Sequence, residues 1–276
     1  AHITDFKRRF EKKEFITDVW NRHCYTPDGK IIEVTYQPCV VGEFNNRLGS
    51  NFVVPNDNES RKLNMLLQDG IKANLLWGSP KIAGMIRWDA FGYITPNNAE
   101  EYGRCNQHKN FGEYRNSGVY GCYRNPRYLA RWWQAQATPE QVGDVVHILT
   151  EWKRDSSSTV YVASNADEVE LFRGDKSFGR VKPNLYTDMR KGLFKFDDIT
   201  WWRGSKLIAK AYRKGALVAE TVRYATDYGK ETKLVLTAKT GNAIVADGRD
   251  MARVEASTHD KHDTVRDYAV AHRSTS

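Results

Sequence analysis

VYVASNADEVELFRGDKSFGR, residues Val160 to Arg180, decides the fold of the second half of the chain. Its runs TVYVA, EVELF and SFGRV are short and rich in β-branched and aromatic residues. EVELF alternates with the two-residue period of a strand that buries one face. RGDKS, Arg173 to Ser177, supplies a hairpin signal between the last two runs. VVHIL precedes this stretch. LFKF, KLIAKAY and LVAETVRY follow it, with a second hairpin signal at Arg213 to Gly215. Seven candidate strands over residues 144–226 imply an immunoglobulin-like β-sandwich. From Lys233 the runs KLVLTA, NAIVADGRD and MARVEAS open another β segment, then give way to a polar tail, THDKHDTVRDYAVAHRSTS. Residues 229–276 are about half of what a sandwich of roughly 100 residues needs, so they read as the truncated start of a further immunoglobulin-like domain.

The texture changes near Pro139. Upstream, PCVVGEF, a helical stretch from Ser60 to Leu76, and KIAGMIRWDAF follow one another in a strand–helix–strand rhythm. Continuously apolar strands of this kind belong to a parallel sheet covered on both faces. In RNPRYLARWWQAQ, Pro126 suits the first turn of a helix. Leu129, Trp132, Trp133 and Gln136 recur at helical spacing, so Leu129 and both tryptophans are expected on one buried face.

The chain has 276 residues, 40% hydrophobic and 28% charged, a globular composition. No apolar run approaches the roughly 18 residues of a membrane span, and the polar N-terminus AHITDFKRRFEKKEF has no signal-peptide core. The net charge of +8 comes from cations scattered among 34 acids, which reads as solvated surface, so no nucleic-acid or membrane partner is expected. Cys24, Cys39, Cys105 and Cys122 form no CxxC pair or metal-ligand spacing and read as buried thiols. HDKHD, His259 to Asp263, reads as part of the solvated tail, so neither metal nor cofactor is expected. For Trp201 and Trp202, core or interface packing is favoured over a sugar-stacking platform.

Four segments, in order, resemble the β-galactosidase-like enzymes of glycoside hydrolase family 2. VVGEFNNRLGSN (Val40 to Asn51) resembles the barrel strand that ends in the family's nucleophile, and KIAGMIRWDAFGY (Lys81 to Tyr93) resembles the last barrel strand. SGVYGCYRNPRYLARWWQAQ (Ser117 to Gln136) resembles the exit into the closing helix. VYVASNADEVELFRGDKSFGR resembles the first downstream sandwich. The resemblance implies that residues 1–139 are the C-terminal part of a (β/α)8 barrel, an α/β unit ahead of the all-β remainder. Residues 1–39 match poorly, although they occupy the place of the sixth barrel unit.

Taken alone, Glu43 after the apolar VVG is either a carboxylate at a barrel rim or an ordinary surface glutamate. Trp88 and Asp89 are either a sugar-stacking wall with a polar partner or a core tryptophan with a backbone-bonded aspartate. The resemblance implies that Glu43 is the nucleophile of a retaining glycosidase, with Trp88 and Asp89 bordering the sugar. It places Asn46 in the pocket, where the family often carries histidine. The acid/base glutamate of the family closes an earlier strand after an asparagine. Glu11, Glu14 and Glu33 do not stand in that context, and a full barrel needs about 250 residues. The expectation is therefore part of an enzyme that cleaves β-galactosides or related oligosaccharides, inactive by itself. A non-catalytic carbohydrate-binding or scaffolding module is the alternative. The resemblance points to an extracellular or periplasmic address. Nothing in the sequence sets an oligomeric state.

Overall fold

The computed structural model describes residues 39–44, 59–78, 82–95, 113–115, 118–121, 124–226, 233–238, 245, 247–249, 254–263 and 265–266. Strands β1 (Cys39–Phe44) and β2 (Ile82–Arg87) pair in parallel, with Val41 opposite Met85 and Phe44 opposite Arg87. Helix α1 (Glu59–Trp77) lies between them in the sequence, as the crossover of a parallel pair demands. Leu63, Leu66, Gly70, Ala73 and Leu76, three or four residues apart, make its buried stripe.

Strands β3 (Tyr93–Thr95) and β4 (Glu113–Arg115) pair in antiparallel fashion. Helix α2 (Tyr128–Ala135) begins later than the expected Pro126 start. Pro126 is instead committed to a bridge with Tyr120, and Arg127 holds the extended backbone of an N-cap. Leu129 and Trp132 are fully buried, whereas Trp133 is only half-buried. The one-turn helix α3 (Pro139–Val142) is started by a capping box between Thr138 and Gln141, with proline in the first turn.

All seven candidate strands of residues 144–226 are present. β5 (Val146–Ile148), β6 (Val160–Ser164) and β9 (Phe194–Phe196) form one antiparallel sheet in the order β5-β6-β9. β7 (Glu168–Arg173), β8 (Lys176–Val181), β10 (Lys206–Arg213) and β11 (Ala216–Tyr224) form the other, in the order β11-β10-β7-β8. The register sets Ala209 opposite Leu171 and Ala211 opposite Val169. These residues share one core with Val160, Val162, Phe194 and the indole of Trp152.

Strands β12 (Lys233–Ala238), β13 (Val254–His259) and β14 (Val265–Arg266) make a third sheet. Two expectations are corrected here. Asp247 to Arg249, within the expected strand NAIVADGRD, form a turn. HDKHD is a hairpin turn whose Lys261, His262 and Asp263 are exposed, as expected of a solvated segment, but whose other two residues are held. Asp260 is buried, His259 bonds Ser257 and Asp263, and His262 stacks on Tyr224 at 4.4 Å. His259 is held across the turn by Asp263, and the exposed His262 by the Tyr224 ring at the end of β11.

A second core joins the helices to the first sheet pair. Leu66 and Leu76 of α1 and Leu129 and Trp132 of α2 pack with Leu149, Ala163, Tyr186 and Leu193. The closest approach is at Gly70, where an added Cβ would fall 2.1 Å from the Tyr186 ring. That ring cannot step aside freely, because its hydroxyl donates to the Leu67 carbonyl at 2.8 Å. Gly70→Ala should therefore lower stability by about 1–3 kcal/mol through overpacking, read from urea unfolding. A neutral outcome would mean that the ring and helix can separate at no cost.

His147 on β5 lies 3.0 Å from the Gln134 side chain of α2. Burial, aided by the Arg131 charge, pushes its pKa down to about 4. Between that value and the ordinary 6.5 the unfolded chain takes up a proton that the folded chain refuses. Stability from this residue is thus full above about pH 6.5 and is lost as pH falls towards 4. Urea midpoints measured from pH 7 to pH 4 should fall less steeply in His147→Gln than in the parent.

Candidate active site

The parallel register brings two strand ends together. Glu43 is the next-to-last residue of β1, and Phe44 after it pairs with Arg87, the last residue of β2. Trp88 and Asp89 follow directly, joined by a cis peptide bond. The backbones of three of the expected site residues thus converge on the C-terminal edge of one parallel pair. Asn46, the fourth, lies outside the described residues.

Strand β2 ends in a network that fixes the backbone of Trp88 and Asp89. The Arg87 guanidinium, 7% exposed, pairs through Nε with the Asp69 carboxylate, which is fully buried, at 2.5 Å. Its Nη1 donates to the Trp88 carbonyl at 2.7 Å and to the Asp89 carbonyl at 3.0 Å. One arginine therefore spends its donors on a buried acid and on the two carbonyls that turn the chain. Burial also lowers the pKa of Lys72, one helical turn from Asp69, while the Asp69 charge acts in the opposite direction.

From the other side, residues 118–121 clamp the same turn. The Val119 amide donates to the Asp89 carbonyl at 3.0 Å, Tyr120 donates to Ala90, and Gly92 donates back to Tyr120. Gly118 is required for this approach, since a Cβ there would meet the Gly92 nitrogen at 2.1 Å. Arg127 Nη1 holds the Gly118 carbonyl at 2.6 Å. On this fixed turn Trp88 is 44% exposed and Phe91 42%, Phe91 being flanked by Tyr120 and by the Arg124 guanidinium.

A cavity of about 570 Å³ lies beneath the turn, lined chiefly by Leu76, Ile82, Met85, Val119, Tyr120 and Trp133. Among the described residues its walls are apolar, with Arg87 as the one charged lining residue. The described lining residues do not bring together the polar partners that sugar hydroxyls need, and the cavity explains the half-buried state of Trp133. Among the described residues no group of His, Cys, Asp or Glu could hold a metal, and no helix is long and apolar enough to cross a membrane.

Sequence reasoning missed Arg87, Asp69 and Phe91. A signal was present: Arg87 is the one charge in IAGMIR, and Asp69 the one acid in LLQDGIKANLL. A cation in an apolar strand and an acid on an apolar helix stripe need each other if both are buried.

Residues 156–219 match a family described as a domain of unknown function (DUF4982). A β-galactosidase of Thermoanaerobacter pseudethanolicus is 27% identical over 95% of this chain and 36% of its own length. A β-glucuronidase of Formosa agariphila is 31% identical over 53% of this chain and 14% of its own. This chain thus spans about a third or less of these relatives. Among solved structures, a family 2 β-glucuronidase superposes with a TM-score of 0.57 at 20% identity, over 81% of this chain and 24% of that one. A Parabacteroides merdae β-glucuronidase gives 0.52 at 17% identity, over 95% and 32%. These two likenesses speak to the fold, whose sheet-rich layout they share.

The ion pair beneath the turn can be tested directly. Asp69→Ala should cost about 3–5 kcal/mol, because it leaves the buried Arg87 charge with only the Asp89 carboxylate, 4.0 Å from Nη1, as a charge partner. The double replacement Asp69→Leu with Arg87→Met should recover much of that loss in urea unfolding. A single variant as stable as the parent would place the pair in solvent.

Proposed function

We propose, from the premise that this chain is a relative of the family 2 glycoside hydrolases, that residues 1–139 supply the closing part of a (β/α)8 barrel whose product is a cleaved β-galactoside. Residues 144–226 are then an immunoglobulin-like sandwich, and residues 229–276 open a further domain of that kind. The observation that carries this reading is the parallel register of β1 and β2, which sets the Glu43 strand end beside Trp88 and Asp89. Active sites of such barrels lie at the C-terminal ends of the strands. The 27% identity to a β-galactosidase, running along 95% of the chain, favours a galactoside over a glucuronide.

In this reading the Glu43 carboxylate attacks the anomeric carbon and a glycosyl-enzyme ester forms as the glycosidic bond breaks. A second carboxyl group about 5–5.5 Å away protonates the departing oxygen and later activates the water that cleaves the ester. That acid/base belongs to a part of the enzyme outside this chain. Trp88 offers its face to the sugar, Asp89 accepts from a sugar hydroxyl, and Asn46 lines the pocket. The Arg87 network holds Trp88 and Asp89 in place, so that binding does not have to order them.

The chain alone should turn over no aryl β-galactoside, since general acid catalysis by itself is worth about 10²–10⁴-fold. Joined to the sequence that precedes it in its gene, it should be trapped by a slow-turnover fluorinated galactoside with the adduct on Glu43. Glu43→Gly should lose turnover and regain part of it with azide. Peptide mapping that found the adduct on another residue would reject the assignment. Trapping by the glucuronide analogue alone would reject the galactoside.

A further inference from the structure

Strand β13 carries Ser257 and His259 on one face, since they stand two residues apart. The Ser257 hydroxyl oxygen lies 2.7 Å from His259 Nε2. On the far side of the same ring, Nδ1 lies 3.0 Å from the Asp263 carbonyl oxygen and 3.0 Å from its Oδ1. The turn after β13 brings Asp263 back to this place. The Asp263 amide donates to the Asp260 carbonyl at 3.0 Å, and Asp260 Oδ1 accepts from the His262 amide at 2.9 Å. Asp263 closes the turn with a left-handed φ of 62°, a conformation that aspartate tolerates.

These contacts fix the tautomer of the ring. Both oxygens at Nδ1 are acceptors, a carbonyl and a carboxylate, so Nδ1 carries the hydrogen. A neutral imidazole then has a bare Nε2, which accepts the Ser257 hydroxyl proton. The carboxylate stays ionised, because the Lys233 ammonium at 2.8 Å from Oδ1, and after it the His259 ring, hold the Asp263 carboxyl below its usual range. Lys233 stands opposite His259 in the register of β12 and β13. Ser257 and His259 are partly buried, so solvent reaches both. A serine hydroxyl, an imidazole and a carboxylate in this order, with the base oriented by a third group, make up an activated nucleophile.

We propose that Ser257, with His259 as its base and Asp263 positioning the ring, accepts an acyl group from activated carboxylic esters and passes it to water. This chemistry is carried by the third sheet and is independent of the Glu43 strand ends. Ser257 Oγ bonds to the ester carbonyl carbon as its proton moves to His259 Nε2. The bond from that carbon to the leaving oxygen breaks, and the leaving oxygen takes the proton from Nε2. Water then attacks the acyl-serine, again giving its proton to Nε2. Ser257 recovers that proton as the carboxylic acid departs. An oriented base is worth roughly 10²–10⁴-fold. That assistance suits esters whose leaving group is already stable, such as aryloxides, rather than amides. Lys233 tempers the base, since its bond to Oδ1 draws the carboxylate charge away from the ring.

The test uses the full 276-residue chain with a fluorophosphonate, which phosphonylates nucleophilic serines with loss of fluoride, and with p-nitrophenyl acetate. One phosphonyl group per chain should appear, and peptide mass mapping should place it on Ser257. Ser257→Ala should abolish the adduct and slow nitrophenol release. His259→Gln should slow labelling by about 10²-fold or more. Asp263→Asn should slow it less, because the Asp263 carbonyl still holds Nδ1. Lys233→Met leaves the carboxylate to His259 alone and should speed labelling, a gain that a merely structural network would not give. Unfolding midpoints check that each variant is folded, and the mapping decides by itself where a substitution unfolds the sheet. The proposal is overturned by adducts with no preference for Ser257, by labelling indifferent to His259→Gln in the folded chain, or by slower labelling in Lys233→Met. None of these outcomes bears on whether Glu43 is the nucleophile of glycoside cleavage.

Discussion

The carboxylate of Glu59 is the joint on which the two halves of the molecule meet. It stands at the first position of α1 yet is 4% exposed. Its Oε1 accepts from the Thr150 hydroxyl at 2.5 Å and from the Glu151 amide at 2.8 Å, and its Oε2 accepts from the Ser156 hydroxyl at 2.6 Å. A buried carboxylate without such donors would be expensive, so the helix start and the strand exit can be buried only together. Thr150 Oγ1 in turn accepts from the amide of Trp152, the indole at the centre of the sheet core. The Trp152 carbonyl accepts from the Thr226 amide, where the last strand of the pair ends. Three links therefore run from the head of α1 to the closing edge of the sheets.

The same helix governs the candidate site from its middle. Asp69 lies almost three turns after Glu59 on α1, and through Arg87 it sets the carbonyls of Trp88 and Asp89. Gly70, beside it, admits Tyr186 from the sheet side. One helix thus reads the sheet pair with Glu59 and Gly70 and the strand ends with Asp69. Any rotation of α1 would strain both contacts at once, because a tightly packed interior transmits displacement rather than absorbing it. The position of the Trp88 turn relative to the sheets is a property of this helix.

Strands long enough to show a period were legible in the sequence. EVELF and KLIAKAY alternate over five residues or more, and both bury the face that the alternation marks. β3 and β4 were not legible, since three residues hold too little of a two-residue period to stand out. The parallel pairing of β1 with β2 followed from their continuous apolar runs, whereas joining Glu43 with Trp88 and Asp89 in one site came only from the family resemblance. The Arg87–Asp69 pair was not read, because its partners sit on different elements 18 positions apart. Trp201 and Trp202 could not be told apart as neighbours in a loop. Only the bonds to Trp152 and Ser205 decide which indole turns inward.

The two halves differ in how completely they bury themselves, and this bears on the division of labour between them. The sheet pair encloses fifteen buried residues that all lie between Val146 and Ala225. Strand β2 has Ile86 60% exposed in the middle of an apolar run, and a cavity of about 570 Å³ lies beside it. Parallel strands are found with both faces covered, because their crossovers bring helices to each side. Among the described residues this parallel pair has no third strand beside it and keeps an apolar residue in solvent. The candidate site residues sit on this open half. A site built from strand ends needs every neighbouring strand to complete it.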